Sequence, residues 1–317
     1  MIPQFPNFKN LEWTDRREIE SVTRFFPPYS DFNFITMWAW NTNESVKVSS
    51  LNDNLIFSFF DIITEENYFS FIGLKKLVET ATALTRFSWN NNIKGILKYI
   101  PEEVAKCITC PELKVVPEEH DFDYIISVDE LANINESPGK LGQRCRQFTR
   151  TYSDSNIQVD IKPINEIDME TIHDLFIKWA DKKNIDHLSL EEYRAFERYF
   201  SINDKNIFVL TIQDDKMIIG FVTLEILSDE YSILNFGKAD INYKGIYQFM
   251  DWKMGEFLKN KNIKYLNIEE DLGIEALRNM KMQLNPKFFL RNYKIETQNR
   301  NNTFETTYSS LSKVTSH

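Results

Sequence analysis

Cysteine and histidine are scarce in this chain of 317 residues, which has three cysteines and four scattered histidines. Cys107 and Cys110 form a C-x-x-C pair, but no second Cys or His pair follows at the spacing that a zinc ribbon needs. The pair also lacks a thioredoxin-like context, so two ordinary thiols are the simpler interpretation. We therefore expect no metal site, and so few cysteines fit a reducing, cytoplasmic compartment.

Long apolar runs are missing as well. The longest apolar stretch, residues 217–227, is too short to span a bilayer and contains an acid. The N-terminus has no basic-then-apolar signal pattern. We therefore expect a soluble protein without a transmembrane segment. Neither a G-x-S-x-G elbow nor a Walker loop is present, which leaves a hydrolase or a P-loop NTPase with little support.

Positive charge is in deficit, because 37 Lys and Arg residues stand against 47 Asp and Glu residues. The resulting net charge of −10 argues against broad, non-specific nucleic-acid binding. One segment departs from this balance, since it carries four basic residues and no acid. These are Lys140, Arg144, Arg146 and Arg150. We predict a helix over residues 139–152 that offers a local basic patch.

The spacing of the apolar residues predicts alternating strands and helices. After a strand at 157–164, the second half runs α-α-β-β-β-α-β-α-β, and the first half shows a similar but less regular order. Strands that alternate with helices on a mixed sheet indicate a layered α/β (α+β) fold. We predict two tandem domains, residues 1–138 and 139–296, the second ending in one strand at 287–296, with a polar tail at 297–317.

The stretch NIEEDLGIEALRNMK, residues 267–281, concentrates charge where a predicted strand turns into a predicted helix. The carboxyl end of a strand that opens onto a crevice is a favoured ligand position in α/β sheets. Glu269 is therefore either a pocket carboxylate or one half of a structural ion pair. Asp271, which precedes Gly273, either caps the following helix or contacts a ligand.

The predicted helix after Gly273 carries Glu275, Arg278 and Lys281 at three-residue spacing. Neighbours at this spacing can form a solvated ladder of opposite charges. Alternatively, the planar guanidinium of Arg278 faces a phosphate or carboxylate of a ligand. Both interpretations stay open.

Five further residues have two interpretations each. Lys238 and Asp240 end a predicted strand, where they are either solvated or line a crevice. Tyr247 opens the next helix, where it either packs on the sheet or donates a hydrogen bond into that crevice. Tyr29 and Asn33 mix polarity with neighbouring aromatics, which is typical of an interface pocket or of an ordinary half-buried element.

Several blocks of the sequence belong together as one pattern. They are YSDFNF (29–34), DYIISVDEL (123–131), GKLGQRCRQF (139–148), NFGKADINYKGIYQFMDWKMGEFL (235–258) and KYLNIEEDLGIEALRNMKMQLNPKFFLRNY (264–293). This pattern resembles the phosphatidylglycerol lysyltransferase C-terminal domain family, including its stand-alone soluble members. The resemblance extends over residues 10–296, and its specific parts are EEDLG and GKAD…GIY.

The resemblance implies two tandem GNAT-like domains, each a mixed, mostly antiparallel sheet flanked by helices. It also implies an aminoacyl or acyl transferase, because better-known members move an aminoacyl group from aminoacyl-tRNA to an acceptor. That acceptor is phosphatidylglycerol in the lipid-modifying members. By analogy, Lys238, Asp240 and Glu269 would have catalytic roles, and the basic helix would contact tRNA. Substrate-binding roles would fall to Tyr247, Asp271, Arg278, Lys281, Tyr29 and Asn33.

Coenzyme A is disfavoured by the loop that should hold it. CoA-using GNAT enzymes cradle the pyrophosphate on a glycine-rich loop between strand and helix. The corresponding residues here, 239–247, contain only Gly245. We therefore expect no cofactor, with aminoacyl-tRNA as the donor and a small molecule, peptide or lipid headgroup as the acceptor. Two alternatives stay open: a non-catalytic small-molecule or peptide binding protein, and an acyl-CoA-dependent N-acyltransferase.

Overall fold

The computed structural model describes residues 1–61, 65–91, 93, 95–181 and 187–297. The predicted polar tail therefore lies outside the described residues, apart from Thr297. The strands are β1 Lys9–Asn10, β2 Val46–Leu51, β3 Asn54–Asp61, β4 Glu66–Ile72, β5 Ile96–Pro101, β6 Leu113–Pro117, β7 Asp123–Ser127, β8 Ile157–Pro163, β9 Ile207–Asp214, β10 Met217–Ile226, β11 Tyr231–Ala239, β12 Tyr265–Asn267, β13 Phe288–Leu290 and β14 Asn292–Thr297. The α-helices are α1 Arg16–Thr23, α2 Phe34–Trp40, α3 Leu77–Asn90, α4 Glu102–Ala105, α5 Val128–Ala132, α6 Lys140–Thr151, α7 Met169–Asp181, α8 His187–Phe200, α9 Ile246–Asn260 and α10 Glu275–Gln283.

Within this described part, the strands form two sheets of seven. The first has the order β1-β2-β3-β4-β5-β14-β6, and the second has the order β13-β7-β12-β11-β10-β9-β8. Each sheet is antiparallel except for one parallel pair, β4 with β5 in the first and β11 with β12 in the second. The predicted mixed, mostly antiparallel sheets are therefore confirmed.

The parallel pair of the second sheet is short. β11 and β12 are in register at three positions, from Tyr231 opposite Tyr265 to Ile233 opposite Asn267. β12 then ends, whereas β11 continues to Ala239 with β10 as its partner on the other side. The chain after β12 is the charged segment 268–271, so this segment leaves the sheet beside the unpaired half of β11.

The predicted final strand at 287–296 is wrong as a single element. It breaks at Arg291 into β13, which pairs with β7, and β14, which lies between β5 and β6. The alternation of apolar residues cannot reveal this, because both halves have the same two-residue period. The domain boundaries stay a prediction. β7 lies before residue 139 but belongs to the second sheet, and β14 lies after it but belongs to the first.

Helices α6 and α9 are packed closely beside the second sheet. The predicted apolar stripe of α9 is buried at Ile246, Phe249, Met250 and Leu258. The ring of Phe148 on α6 stacks on Phe249 with 4.5 Å between centroids. The predicted basic helix is therefore confirmed, and its apolar face is anchored to α9.

A glycine permits this close approach. Gly245 precedes α9 with φ of +89°, and a Cβ atom there would lie 2.4 Å from the carbonyl oxygen of Arg144. A side chain at this position would be strained in the left-handed region and would also collide with backbone. No helix among the described residues is long and apolar enough to cross a membrane.

We expect Gly245→Ala to lower the free energy of unfolding by about 2 kcal/mol or more, because backbone strain and steric overlap add. Gly139→Ala at the start of α6 is the matched control, since its nearest contact would be Ser137 Oγ at 3.6 Å. The control should cost less than about 1 kcal/mol. Urea denaturation of both variants measures the difference, and equal losses would contradict the proposed packing.

Candidate functional site

A buried carboxylate joins three of the sequence blocks that carry the family resemblance. Asp123 lies at the start of β7 and is fully buried. It accepts hydrogen bonds from the backbone N–H of Ser30 at 2.7 Å, from Ser30 Oγ at 2.5 Å and from Asn267 Nδ2 at 2.9 Å. Asn267 Nδ2 also donates to the carbonyl oxygen of Pro28 at 2.8 Å. The loop that carries YSDFNF is thus fastened across the ends of β7 and β12.

Three more carboxylates surround Asp123. Glu270 Oε2 lies 3.3 Å from Ser30 Oγ, and Asp31 Oδ2 accepts from Asn292 Nδ2 at 2.8 Å. Glu269 has a left-handed backbone with φ of 61°. We call Asp31, Asp123, Glu269 and Glu270 the acidic junction.

The charges of the acidic junction oppose one another. Burial and, next, the neighbouring Glu270 raise the pKa of Asp123 to about 7, although the hydrogen bonds from Ser30 and Asn267 oppose this shift. Burial also raises the pKa values of Asp31 and Glu269 well above their usual range, again with Glu270 as the next cause. The junction therefore holds protons at neutral pH that ordinary carboxylates would have lost.

The acid that follows the junction has a different partner. Asp271 is fully buried and accepts hydrogen bonds from Tyr124 Oη at 2.6 Å and from Arg278 Nε at 2.8 Å. Burial opposes its ionisation, but the hydrogen bonds from Arg278 and Tyr124 outweigh burial and lower its pKa. The helix-capping interpretation is wrong, because α10 begins after Ile274 and Asp271 instead accepts from the N–H of Gly273 at 2.8 Å.

Both predicted cations of α10 contact the segment 268–271. They do not form a solvated ladder of opposite charges along the helix. Arg278 binds Asp271 through Nε and Nη2, and its Nη2 also lies 2.7 Å from His120 Nδ1. Lys281 is buried and donates from Nζ to the carbonyl oxygens of Ile268, at 2.6 Å, and of Glu270. They hold the charged loop in its conformation, and a contact with substrate stays a prediction for both.

Lys238 lies in a second group beside the junction. Its Nζ is 2.5 Å from Glu192 Oε1 on α8 and 3.9 Å from the ring centroid of Trp179 on α7. Glu192 also raises the pKa values of Glu269 and of Tyr247, so its charge acts on both groups. We call Lys238, Glu192 and Tyr247 the lysine crevice, which adjoins the acidic junction through Glu269.

Asp240 has a local structural contact. Its Oδ1 accepts from the N–H of Asn242 at 3.0 Å, and its own N–H donates to the carbonyl oxygen of Ile219 at 2.8 Å. These bonds shape the turn between β11 and α9. A catalytic role for Asp240 stays a prediction.

Tyr29 and Asn33 make hydrogen bonds to different parts of the fold. The buried Tyr29 donates from Oη to Glu103 Oε2 at 3.0 Å and accepts from the N–H of Glu102 at 3.1 Å. Asn33 caps α2 by accepting from the N–H of Thr36 at 2.7 Å, and its Nδ2 donates to Glu225 Oε2 at 3.0 Å. Their polar atoms are used inside the protein, and substrate binding by either residue stays a prediction.

The basic helix α6 presents its charges to solvent. Lys140, Arg144, Arg146 and Arg150 are all exposed. Arg146 Nη1 donates to the carbonyl oxygens of Asn135 and Ser137, whereas Arg150 has only a long hydrogen bond, 3.4 Å from its Nε to the carbonyl oxygen of Arg146. Lys140, Arg144 and Arg150 are therefore the stronger candidates for contacts with phosphates.

The sequence did not single out Ser30, Asp123, Glu192, Asn267 or Asn292. A signal existed for two of them, because Asp123 and Asn267 are polar residues inside otherwise apolar strand patterns. A wholly buried polar side chain in such a strand needs hydrogen-bond partners. The partners themselves come from distant parts of the chain and could not be inferred.

An open cleft of about 380 Å³ lies away from these two groups. Thr42, Lys47, Phe60 and Glu191 contribute to its walls, and its lining includes none of the predicted site residues. Its position gives no support to a reaction centre at the acidic junction.

The family model for the C-terminal domain of phosphatidylglycerol lysyltransferase matches residues 23–296. Because the match covers most of the sequence, the chain belongs to the phosphatidylglycerol lysyltransferase C-terminal domain family, a family of transferases. The predicted membership is thus confirmed. No curated protein sequence matches the chain.

Solved structures share the fold at low sequence identity. A conserved protein of unknown function from Bacteroides thetaiotaomicron is 20% identical, with a TM-score of 0.75 over 94% of this chain and 100% of that one. A C-terminal domain assigned to a lysylphosphatidylglycerol synthetase of Agrobacterium fabrum is 12% identical, with a TM-score of 0.63 over 90% and 93%. L-PGS from Bacillus licheniformis is 11% identical, with a TM-score of 0.59 over 95% of both chains. The predicted tandem GNAT-like fold is confirmed.

The contact between Asn33 and Glu225 predicts a pH-dependent stability. Burial raises the pKa of Glu225 to about 8, although Asn33 and Arg16 lower it and Asp204 and Glu20 raise it. A carboxyl whose pKa is raised on folding stabilises the protein at low pH, and this contribution is lost as the pH rises through 8. We expect Glu225→Gln to unfold at the same temperature as wild type near pH 5 and at a higher temperature at pH 9.

Thermal unfolding across pH 5–9 measures this difference, and Glu230→Gln is the control because Glu230 is exposed and paired with Lys264. The control should follow the wild-type profile. If Glu225→Gln follows it too, Glu225 does not carry a buried, protonated carboxyl.

Proposed function

We propose that this protein transfers an aminoacyl group from aminoacyl-tRNA to a nucleophilic acceptor at the boundary between the lysine crevice and the acidic junction. The observation that carries the proposal is the ion pair of Lys238 with Glu192 at 2.5 Å, in a chain of this transferase family, together with the action of the Glu192 charge on Glu269. One is a cationic donor and the other is a carboxyl group whose pKa is raised, so the two provide complementary chemistry.

The two groups would divide the reaction between them. In its ionised form, Glu269 accepts the proton of the acceptor hydroxyl or amine as that atom attacks the ester carbon. The ammonium of Lys238 stabilises the negative charge that develops on the carbonyl oxygen. The ester C–O bond then breaks, and the ribose oxygen of the tRNA leaves with the proton that Glu269 returns. A carboxyl with a raised pKa suits both the uptake and the return of that proton.

Coenzyme A is a poorer donor for this fold. Inside the loop between β11 and α9, the N–H of Asn242 donates to Asp240 Oδ1, that of Tyr243 to the Asp240 carbonyl and that of Ile246 to the Tyr243 carbonyl. These N–H groups are occupied, whereas a pyrophosphate needs them turned outward. The carbonyl oxygen of Arg144 also packs against Gly245, and its partial negative charge would repel phosphate.

A second candidate is a non-catalytic protein that binds a small molecule on the same scaffold. Lys238 already pairs with Glu192 and lies over Trp179, so its ammonium has partners in the absence of substrate. A purely structural lysine would have the same contacts. Transfer assays distinguish the two candidates, since only the first predicts loss of the aminoacyl group from tRNA.

The direct test supplies the protein with tRNA carrying radiolabelled amino acids, together with phosphatidylglycerol vesicles or the small-molecule and peptide fraction of a cell extract. We expect transfer of label to one acceptor, and a rate at least about 100-fold lower in Lys238→Ala and in Glu269→Gln, because each removes one catalytic contribution. Lys264→Ala is the control, since Lys264 is an exposed lysine paired with Glu230.

Wild-type rates in both crevice variants would remove these residues from the mechanism. The absence of transfer by the wild-type protein to every acceptor, with ligand binding retained, would favour the non-catalytic candidate.

The exposed charges of α6 give a separate prediction about tRNA. Replacing Lys140, Arg144 and Arg150 together by Ala should weaken tRNA binding and reduce the slope of log Kd against log salt by about 2 to 3, because each phosphate contact releases counterions. A matched triple variant replaces Lys75, Lys106 and Lys162, which are exposed on other elements. Equal effects of the two triples on the slope would show that only net charge matters.

A further inference from the structure

Two buried side-chain oxygens in or beside the acidic junction lack a hydrogen-bond donor. Across the described residues, Glu269 Oε1 and Asn292 Oδ1 are the buried side-chain atoms without a partner. Asn292 itself is 0% exposed. Buried acceptors of this kind are costly unless something donates to them, so they indicate a site that a ligand completes.

The orientation of the Asn292 amide follows from its neighbours. Nδ2 donates to Asp31 Oδ2 at 2.8 Å and to the carbonyl oxygen of Asp121 at 2.9 Å. Turning the amide over would place Oδ1 against these two acceptors, which is unfavourable. Oδ1 must therefore stay on the side that lacks a donor, next to the carboxylate that Nδ2 contacts.

The junction also has more negative than positive charge. Its four carboxyls have Lys281 as a cationic neighbour, but Lys281 Nζ already donates to two backbone carbonyls. A single hydroxyl hydrogen of Ser30 serves both Asp123, at 2.5 Å, and Glu270, at 3.3 Å. Burial is the main cause of the raised pKa values of Asp31 and Asp123, and this crowding raises them further. A cation that entered the junction would relieve the repulsion.

Aromatic rings lie on the side of Asp31. Burial and the neighbouring Tyr68 are the main causes that raise the pKa of Tyr99, and the charges of Asp31 and Glu270 add to them. Its ring is 5.4 Å from that of Tyr68 and 6.3 Å from that of Phe59, centroid to centroid. Aromatic faces beside carboxylates are a common environment for organic ammonium groups.

We propose that the acidic junction binds a primary ammonium group of the ligand, which donates to Asn292 Oδ1 and to the carboxylates of Asp31 and Glu270. An ammonium has three donors on one small centre, so it can serve several acceptors of the junction at once. Within the part of the chain that the structure describes, no group of three or more metal-binding side chains is placed to hold a metal ion. An organic cation therefore fits better than a metal.

This inference rests on the proposed function for the source of the ammonium. An aminoacyl ester always carries an α-ammonium, and some carry a second ammonium on the side chain. The junction adjoins Glu269, so a bound ammonium would hold the aminoacyl group beside the proposed general base. The junction could bind the α-ammonium or the side-chain ammonium by the same contacts. The experiment must therefore show which of the two is bound.

The experiment measures binding of amino acid methyl esters by isothermal titration calorimetry, without tRNA. L-norleucine methyl ester carries only an α-ammonium, Nα-acetyl-L-lysine methyl ester only a side-chain ammonium, and Nα-acetyl-L-norleucine methyl ester neither. We expect one ammonium ester to bind at least 10-fold more tightly than the neutral ester. Nα-acetyl-L-arginine methyl ester and magnesium chloride should bind more weakly than that ester.

Asp31→Asn should weaken binding of the preferred ester at least 10-fold. The same variant should unfold at the wild-type temperature or above, because it removes a crowded buried charge, whereas loss of a merely structural carboxylate would lower that temperature. Asp160→Asn is the matched control, since it removes one exposed carboxylate that pairs with Lys162. It should bind like wild type.

Three outcomes would overturn the proposal: equal affinity for all three norleucine and lysine esters, tighter binding of the arginine ester or of magnesium, or unchanged binding in Asp31→Asn. Because binding is measured without transfer, the proposal can succeed while the transferase assay fails. It can also fail while transfer is observed.

Discussion

The structure depends on the buried carboxylate of Asp123. Its hydrogen bonds to Ser30 and Asn267 fasten a loop of the first sheet to the strand ends of the second. A buried carboxylate without partners would cost several kcal/mol, so these bonds must form together. The same bonds bring Asp31 and Glu270 next to Asp123, and a contact made for folding thereby creates a concentration of acids.

The acidic junction includes Glu269 and Glu270 of the segment that follows β12, and Glu192 of the lysine crevice acts on Glu269. This segment leaves the sheet where β11 and β12 separate, and Lys281 and Arg278 hold its backbone and Asp271 from the side of α10. The cations of the motif are thus used to position the acids. Glu269 and Glu270 are left to join Asp31 and Asp123 in the acidic junction, which explains why so much charge is placed where a strand ends. This arrangement gives the family fold a polar centre without a glycine-rich loop.

Much of the fold could be predicted, because the apolar residues of β9, β10, β11 and α9 are arranged in clear patterns. These strands form part of the second sheet, and α9 packs beside it. The exchange of β13 and β14 could not, since the chain crosses between sheets at Arg291 without a turn signal. For the site, Lys238, Glu269 and Arg278 could be recognised as unusual charges near strand ends. Their partners could not, because Glu192 and Asn292 lie far away in sequence, and the charges pair across elements instead of along one helix.

The central claim is that an aminoacyl group lies with its ammonium in the acidic junction and its carbonyl at Lys238. A crystal structure with adenosine that carries lysine through a stable 3′-amide tests this most directly. The account predicts an amino group of the lysine within hydrogen-bond distance of Asn292 Oδ1 and Asp31, and the amide oxygen near Lys238 Nζ. Binding of the analogue at another surface, with the junction unchanged, would contradict it.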